Sequence, residues 1–316
     1  MIRYVETDGA ALGPSQVLAR AMAREAISHG RFLRQVVLDP NFRSAGSILA
    51  MDDKTPVGYA LSVARQVPVE GVMSDPDRGY LWLMGVVPEA RGQGVGSALL
   101  DRVEEYLRSQ EKQVCLASAY SPGYFTPGVD FEAYPEGLRF LTARGYQEVA
   151  RPIAMETSLW DLDVPPWVAE IERRRKAEGV RISRTAWMDA VKVLDFARTE
   201  FGPDWARYAR ESMLRQLDGD QRTNLSVAWE GSGDDARILG FAHFDGERFG
   251  PIGVARSERG RGIGQLLLFD ALAQQRERGH RVSWFLWSDD RTADRLYKHA
   301  GFRVVRRFAL LRKELS

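Results

Sequence analysis

The sequence predicts an α+β protein with two tandem domains, each a mixed, mostly antiparallel sheet covered by helices. Three observations predict it. The 316 residues suit two domains of about 150 residues each. The sequence around Arg91 aligns with that around Arg259, and both copies present an apolar strand, a glycine-rich turn and an apolar helix in that order. Strand-sized and helix-sized patterns also follow each other in the same sequence through both halves.

The central strands of each copy are predicted by apolar runs on either side of a turn signal. Residues 47–51 and 56–67 flank an Asp-Asp-Lys-Thr turn in the first copy, and residues 225–229 and 238–244 flank a Gly-Ser-Gly-Asp-Asp turn in the second. These are strand-turn-strand patterns. An Asp-Gly pair directly after the last of these runs predicts a tight hairpin into the next strand.

A helix is predicted after each glycine run. In the first copy Val95, Leu99, Val103 and Tyr106 recur at helical spacing and share one face. In the second copy Gly279 is expected to end the matching helix. The full order expected for each half is a strand, one or two helices, three antiparallel strands, a helix, a strand, a helix and a closing pair of strands.

Domain boundaries are predicted from a break in the middle of the chain. The Pro-Pro pair near residue 165 interrupts the pattern, and a charged helix is expected to follow it. This divides the chain into a first domain at 1–163, a linker helix at 164–179 and a second domain at 180–316. The first copy also carries about a dozen extra residues, which we assign to a loop between Tyr120 and Tyr134.

Composition excludes several classes of protein. With 44 Lys and Arg against 43 Asp and Glu, the net charge is +1, which gives no reason to expect a nucleic-acid or membrane partner. Apolar runs are strand-sized, so no membrane-spanning helix is expected. The N-terminus lacks the pattern of a secretory signal, and the single cysteine, Cys115, favours the cytoplasm. The four histidines lack the spacing of metal ligands, so no metal is expected.

The glycine runs are candidate anion-binding loops. A strand that enters Arg91–Gly96 or Arg259–Gly264 and leaves as a helix presents backbone N–H groups at a positive helix N-terminus. Such a turn suits a phosphate or diphosphate. Alternatively, the glycines only shape a tight turn. Neither run ends in the Gly-Lys-Ser/Thr of a Walker loop.

Together these motifs resemble the GNAT superfamily of N-acetyltransferases. The family's diphosphate loop reads Arg or Gln, x, x, Gly, x, Gly or Ala, which both glycine runs match, and residues 293–302 resemble its second motif. The resemblance covers nearly the whole chain as two tandem copies. It implies acetyl-CoA as cosubstrate, with direct transfer of the acetyl group from the thioester to a primary amine.

The same resemblance implies coenzyme-binding residues in both copies. They comprise the two loops and the end of the strand before each loop, whose main chain holds the acetyl carbonyl and the pantetheine arm. These residues are Val86, Val87, Arg91, Gly92, Gln93, Gly94, Val95, Gly96, Ile252, Gly253, Val254, Arg259, Gly260, Arg261, Gly262, Ile263 and Gly264.

The resemblance also distinguishes the two copies chemically. A tyrosine in the family's second motif protonates the departing thiolate, and Tyr297 matches it, whereas the first copy has Leu141 there. We therefore expect the second domain to be catalytic and the first to be degenerate. Glu247 is a candidate general base near the start of the preceding strand. The competing interpretations are a core tyrosine at 297 and a solvated carboxylate at 247.

An acceptor wall is predicted in the inserted loop of the first copy. Tyr124, Phe125 and Asp130 combine two aromatic rings with one carboxylate, which suits an amine or sugar hydroxyls, although a surface loop tied down by its own rings is an equal alternative. The expected partner is a small-molecule or peptide amine, and the oligomeric state stays open. The alternative function is a non-catalytic acyl-CoA binding or sensing protein.

Overall fold

The computed structural model describes residues 1–72, 75–120 and 124–315, with fourteen strands in these ranges. The strands are β1 (Ile2–Glu6), β2 (Ser47–Asp52), β3 (Thr55–Ala64), β4 (Arg78–Val86), β5 (Val114–Ala117), β6 (Val129–Asp130), β7 (Gln147–Ala150), β8 (Ile153–Ser158), β9 (Val180–Arg184), β10 (Thr223–Glu230), β11 (Arg237–Asp245), β12 (Arg248–Val254), β13 (Val282–Ser288) and β14 (Arg303–Glu314).

The helices follow the predicted order. They are α1 (Leu12–Ala21), α2 (His29–Phe32), α3 (Val95–Ser109), α4 (Pro135–Ala143), α5 (Pro166–Ala177), α6 (Ala190–Phe201), α7 (Pro203–Leu217), α8 (Ile263–Glu277) and α9 (Asp290–Thr292). Short 3-10 turns precede both glycine runs, at Pro88–Ala90 and Arg256–Glu258. The α9 turn continues as a π-helical segment, Ala293–Tyr297.

Two compact units divide the described residues. The first comprises residues 1–68, 75–120, 124–152 and 307–315, and the second comprises 69–72 and 153–306. The units are therefore not contiguous in sequence: β8, expected at the end of the first domain, belongs to the second unit, and the last residues of β14 belong to the first. A division at 1–163, 164–179 and 180–316 remains a prediction about domains. The helix expected in the linker is present as α5.

The first unit is a mixed sheet in the order β1-β2-β3-β4-β5-β14. Its pairs are antiparallel except β4 and β5, which run parallel only from Arg78 opposite Val114 to Leu81 opposite Ala117. Helices α1 and α3 cover opposite faces. Glycines permit this close approach, since a Cβ on Gly58 would lie 2.9 Å from side-chain atoms of α3 and one on Gly85 would lie 2.6 Å from α1.

The second unit repeats this design in the order β8-β13-β12-β11-β10-β9. Here the parallel pair is β12 and β13, joined at Arg248 opposite Trp284. Helix α8 packs on one face, while α6 and α7 pack on the other over Gly253. The predicted α+β class with two tandem, mostly antiparallel sheets is therefore confirmed.

Helix length and side-chain clustering in the described residues bear on membrane and metal binding. None of the helices there combines the length and apolar character that crossing a bilayer requires. Within those same ranges, no three His, Cys, Asp or Glu side chains converge as a metal site would need.

Candidate active site

A cavity of about 760 Å³ opens in the first unit where two parallel strands separate. Beyond Leu81 and Ala117 the two strands no longer pair, and β4 continues to Val86 paired with β3 along its other edge. The cavity is lined by this part of β4, whose edge toward β5 is unpaired, by Ser118 after β5, and by the end of α1. A strand edge without a neighbour offers main-chain N–H and C=O groups to a ligand. We call this opening between β4 and β5 the fork. It is a slot whose walls can form hydrogen bonds with a ligand.

The first glycine loop lies at one end of this cavity. Gly92, Gly94 and Gly96 line it, and Gly94 begins α3 with φ of 81° and no side-chain cap. A Cβ added at Gly92 or Gly94 would have no atom within 4 Å, so the space beside the loop is open. Arg91 shapes the turn by donating from Nε to the Val86 carbonyl at 3.1 Å. The helix N-terminus is therefore available to an anion.

Acidic and phenolic groups form the other wall of the cavity. Asp130 is 1% exposed, accepts hydrogen bonds from the amides of Glu132 and Ala133, and lies 3.4 Å from the Arg24 guanidinium. Tyr134, at the start of α4, also lines the cavity. Of the three predicted acceptor residues, the cavity thus includes Asp130.

The two predicted aromatic residues lie behind or beside that wall. Phe125 is buried, its ring 6.4 Å from that of Trp82, and the Arg31 guanidinium lies 4.6 Å above it. Tyr124 is half-buried. Three further residues of the predicted loop, 121–123, lie outside the described residues. The roles of Tyr124 and Phe125 in acceptor binding stay predictions.

The second glycine loop has the same backbone but different surroundings. Gly262 begins α8 with φ of 85°, and Arg259 donates from Nε to the Val254 carbonyl at 3.4 Å. A Cβ on Gly262, however, would lie only 2.6 Å from Cγ2 of Ile171 on α5. Helix α5 therefore covers this loop. The sequence predicted α5 only as a linker helix, and no pattern in it indicates this contact with the loop.

Acidic side chains hold Arg261, which lies inside the second loop. Arg261 is paired with Glu178 at 2.7 Å, with Glu230 at 3.0 Å and with Glu258. The carboxylates raise the pKa of Arg261 above its ordinary range. Gln93, the matching residue of the first loop, is exposed and donates to the Glu89 carbonyl. The same carboxylates also pair with Arg175 and Arg237. The guanidinium of Arg261 is therefore already held by carboxylates, and a phosphate at this loop would have to compete with them.

Aromatic rings also cover β12 in the second unit, where the matching fork would lie between β12 and β13. A Cβ on Gly253 would lie 2.5 Å from Phe201 and 2.7 Å from Trp205, and these two rings stack at 4.5 Å. The matching glycine of the first unit, Gly85, faces only the methyl group of Ala21 at 2.6 Å and side-chain atoms of α1 farther away. The smaller neighbours leave the first fork more room.

The predicted acid Tyr297 lies in an aromatic cluster of the second unit. It is 7% exposed, with its ring 4.5 Å from Phe285, 5.6 Å from Phe302 and 6.3 Å from Phe249. Burial raises the pKa of Tyr297 above its usual value, and the charge of Asp289 adds to the rise. These surroundings favour the core interpretation of this tyrosine; its role as an acid stays a prediction.

The predicted base Glu247 lies at the opposite end of β12 from the second glycine loop. It occupies the hairpin turn between β11 and β12, where its side chain is exposed and its carbonyl accepts the Trp284 amide at 3.0 Å. Its neighbour Asp245 is paired with Arg215 at 2.8 Å. A solvated carboxylate at this turn agrees with the second interpretation given above, and catalysis by Glu247 stays a prediction.

A forked sheet with a glycine loop at its open end defines the class of acetyltransferase folds. Sequence comparison agrees for each half: a model described as the acetyltransferase (GNAT) family matches residues 18–120, and a model of a GNAT acetyltransferase domain matches 222–304. The chain belongs to the GNAT superfamily of N-acetyltransferases as a tandem two-domain member. No curated protein gives a significant sequence match.

Solved structures share this fold at low sequence identity. A GCN5-related glucosamine N-acetyltransferase region of a fungal multi-domain GH3 beta-N-acetylglucosaminidase is 19% identical with a TM-score of 0.81; the match covers 99% of this chain but only 38% of the fungal one. A GCN5-related N-acetyltransferase from Sphaerobacter thermophilus is 21% identical, with a TM-score of 0.73 and coverages of 99% and 96%. A tandem GNAT protein from the clavulanic acid pathway is 15% identical, with a TM-score of 0.67 and coverages of 100% and 99%.

Proposed function

We propose that this protein is an acetyl-CoA-dependent N-acetyltransferase whose reaction takes place in the first unit. One observation carries the proposal: an open cavity connects the first glycine loop with the fork between β4 and β5. The proposal reverses the expectation from sequence, which assigned catalysis to the second copy through Tyr297. The second copy has the same loop, but Ile171 covers it and three carboxylates surround Arg261.

The coenzyme diphosphate would bind at the start of α3. Backbone N–H groups from Gly92 to Gly96 would donate to its oxygens, and the helix dipole would add about 0.3–1 kcal/mol per charge at an exposed site. From there the pantetheine arm would follow the free edge of β4 toward Trp82. This places the thioester in the fork, where the main chain can stabilise the developing oxyanion.

The chemistry needs no covalent intermediate on the protein. The acceptor nitrogen attacks the thioester carbonyl carbon, the C–N bond forms, the C–S bond breaks and the nitrogen loses one proton while the thiolate gains one. Cys115 is fully buried, and burial raises the pKa of its thiol to about 12, so it is unsuited to act as a nucleophile. Leu141 lines the cavity at the position of the family's acid and cannot donate a proton, so solvent would protonate the thiolate.

The acceptor would be a primary amine on a small molecule or peptide. Asp130 supplies a buried carboxylate on the cavity wall, a group that favours an ammonium ion over a neutral or anionic acceptor. Among the structural neighbours, the fungal region is described as a glucosamine N-acetyltransferase, which makes an amino sugar a reasonable first acceptor to assay.

A second candidate, favoured by Leu141, is an acyl-CoA binding protein without catalysis. Two measurements separate the candidates. Calorimetry with coenzyme A tests binding, and a thiol-release assay with acetyl-CoA tests transfer to glucosamine, ethanolamine, spermidine, lysine and a peptide with a free N-terminus. The enzyme proposal expects binding and amine-dependent thiol release. Binding without release on any amine would favour the second candidate, and absence of binding would exclude both.

A further inference from the structure

A phenol and a carboxylate form a hydrogen-bonded pair in the acceptor wall of the first unit. The Tyr134 hydroxyl donates to Oε1 of Glu25 at 3.2 Å, and it accepts a hydrogen bond from the Arg24 amide at the same distance. Tyr134 lines the cavity, whereas Glu25 lies behind it and is only 5% exposed. The phenol thus connects the cavity with a buried carboxylate.

Charged groups from three neighbouring segments surround this pair. Arg24, adjacent in sequence to Glu25, directs its guanidinium to Asp130 at 3.4 Å. Arg31 donates from Nη1 to the Glu25 main-chain carbonyl at 2.6 Å. Asp130 is the second carboxylate of the wall. The charged groups around the pair are thus Arg24, Arg31 and Asp130, and Tyr134 joins the cavity to the buried Glu25 among them.

We propose that Tyr134 and Glu25 form the proton path that activates the acceptor amine. The inference rests on the proposed function and names two catalytic groups in the same cavity. A proton leaves the acceptor nitrogen for Oη of Tyr134 as the phenol's own proton passes to Oε1 of Glu25. The lone pair of the neutral nitrogen then attacks the thioester carbon. As the C–N bond forms and the C–S bond breaks, the nitrogen loses its second proton to solvent and the thiolate takes one proton from solvent. Glu25 returns its proton to solvent after the product leaves, so each turnover restores the starting charges.

This path differs from a carboxylate in direct contact with the substrate. Glu25 is shielded by Tyr134, so a Glu25 variant alters the rate only through the phenol. Proton transfer by a positioned side chain contributes about 10²–10⁴-fold to a rate. Without the path, only amine molecules already deprotonated in solution would react, and the rate would fall about tenfold for each pH unit below the pKa of the amine.

The test measures kcat/KM against pH for whichever of the five amines named above the wild-type protein acetylates fastest. Tyr134→Phe keeps the ring and removes the phenol, and Glu25→Gln keeps an acceptor for the phenol but cannot take up its proton. Both variants should lose about 100-fold at a pH two units below the amine pKa and approach the wild-type rate above it. Coenzyme A affinity should stay within threefold. Glu132→Gln, an exposed carboxylate in the same segment, serves as the control and should match wild type throughout.

The outcomes separate this path from the proposed function itself. A wild-type protein that acetylates none of the amines contradicts the proposed function. A Tyr134→Phe protein that binds coenzyme A normally and either keeps the wild-type pH profile or loses the same factor at every pH contradicts the proton path alone. If Glu25→Gln fails to fold, the pH profile of Tyr134→Phe alone tests the proton path.

Discussion

Ile171 lies where a side chain on Gly262 would have to be: its Cγ2 atom is 2.6 Å from the position of a Cβ there. At the matching position in the first unit, a Cβ added to Gly94 would have no atom within 4 Å. The two loops share their backbone conformation, with φ of 81° at Gly94 and 85° at Gly262. The difference between them is a helix outside the repeated motif, α5, whose Ile171 fills the space beside Gly262.

Replacing Tyr297 with Phe should leave acetyl transfer within about twofold of wild type. The hydroxyl lies in an aromatic cluster of the second unit, remote in sequence from the first fork, and the substitution keeps the ring that packs against Phe285. Turnover of a panel amine by thiol release measures this. A loss of turnover on the order of 10²-fold is what removal of a general acid would produce. That result would show that Tyr297 is the acid and that the second domain is the catalytic one.

Replacing Asp130 with Asn should raise KM for the amine by about 10- to 100-fold. Charge-assisted hydrogen bonds are worth about 1.5–3 kcal/mol, and the amide keeps the size of the side chain but not its charge. Steady-state kinetics with the best panel amine checks this, together with calorimetry to show that coenzyme A still binds.

Glu105→Gln, an exposed carboxylate on α3, is the matched control and should behave as wild type. An unchanged KM in Asp130→Asn, with normal coenzyme binding, would remove Asp130 from the acceptor site. The acceptor wall would then have to be sought at the end of α1.

Stability of the second unit should fall as the pH drops below 6.5, because of His243. Its Nδ1 lies 2.9 Å from the Gly250 carbonyl, which can only accept, so Nδ1 carries the proton and Nε2 accepts from Thr223 at 3.1 Å. Burial lowers the pKa of His243 from 6.5 to about 4. Between these values the unfolded chain binds a proton that the folded protein does not, so unfolding becomes easier.

The expected loss is about 2 kcal/mol between pH 6.5 and about pH 5. Denaturant unfolding at several pH values measures it, with His243→Gln as the comparison, since an amide can donate to Gly250 and accept from Thr223 without titrating in this range. If the free energy of unfolding falls equally with pH in wild type and His243→Gln, His243 does not control the pH dependence.

Much of the fold could be predicted from the sequence because it depends on local patterns. The repeat around Arg91 and Arg259 predicted two similar units, and helical spacing from Val95 to Tyr106 predicted α3, which runs Val95–Ser109. The closing strands of each half were harder to assign to a unit. The sequence could not show that β8 pairs with β13 or that the end of β14 belongs to the first unit, because pairing between distant strands leaves no local signal.

The candidate site was predicted only in part, for a related reason. Loop motifs located both glycine turns, and the insertion contributes Asp130 to the cavity wall; binding by these residues stays a prediction. Which loop is open depends on Ile171, Phe201 and Trp205, whose positions follow from tertiary packing. Glu25 and Tyr134 were missed as a pair because 109 residues separate them and no motif connects them.

The most direct test of this account is calorimetry with coenzyme A on a matched pair of loop variants, Gly92→Glu and Gly260→Glu. Both glycines have positive φ, 73° and 85°, and neither has an atom within 4 Å of an added Cβ, so backbone strain should be similar. Each variant places a carboxylate beside its own loop. We predict one binding site in the wild-type protein, no binding in Gly92→Glu and affinity within threefold of wild type in Gly260→Glu. Normal binding in Gly92→Glu with loss in Gly260→Glu would contradict the assignment of the coenzyme to the first unit.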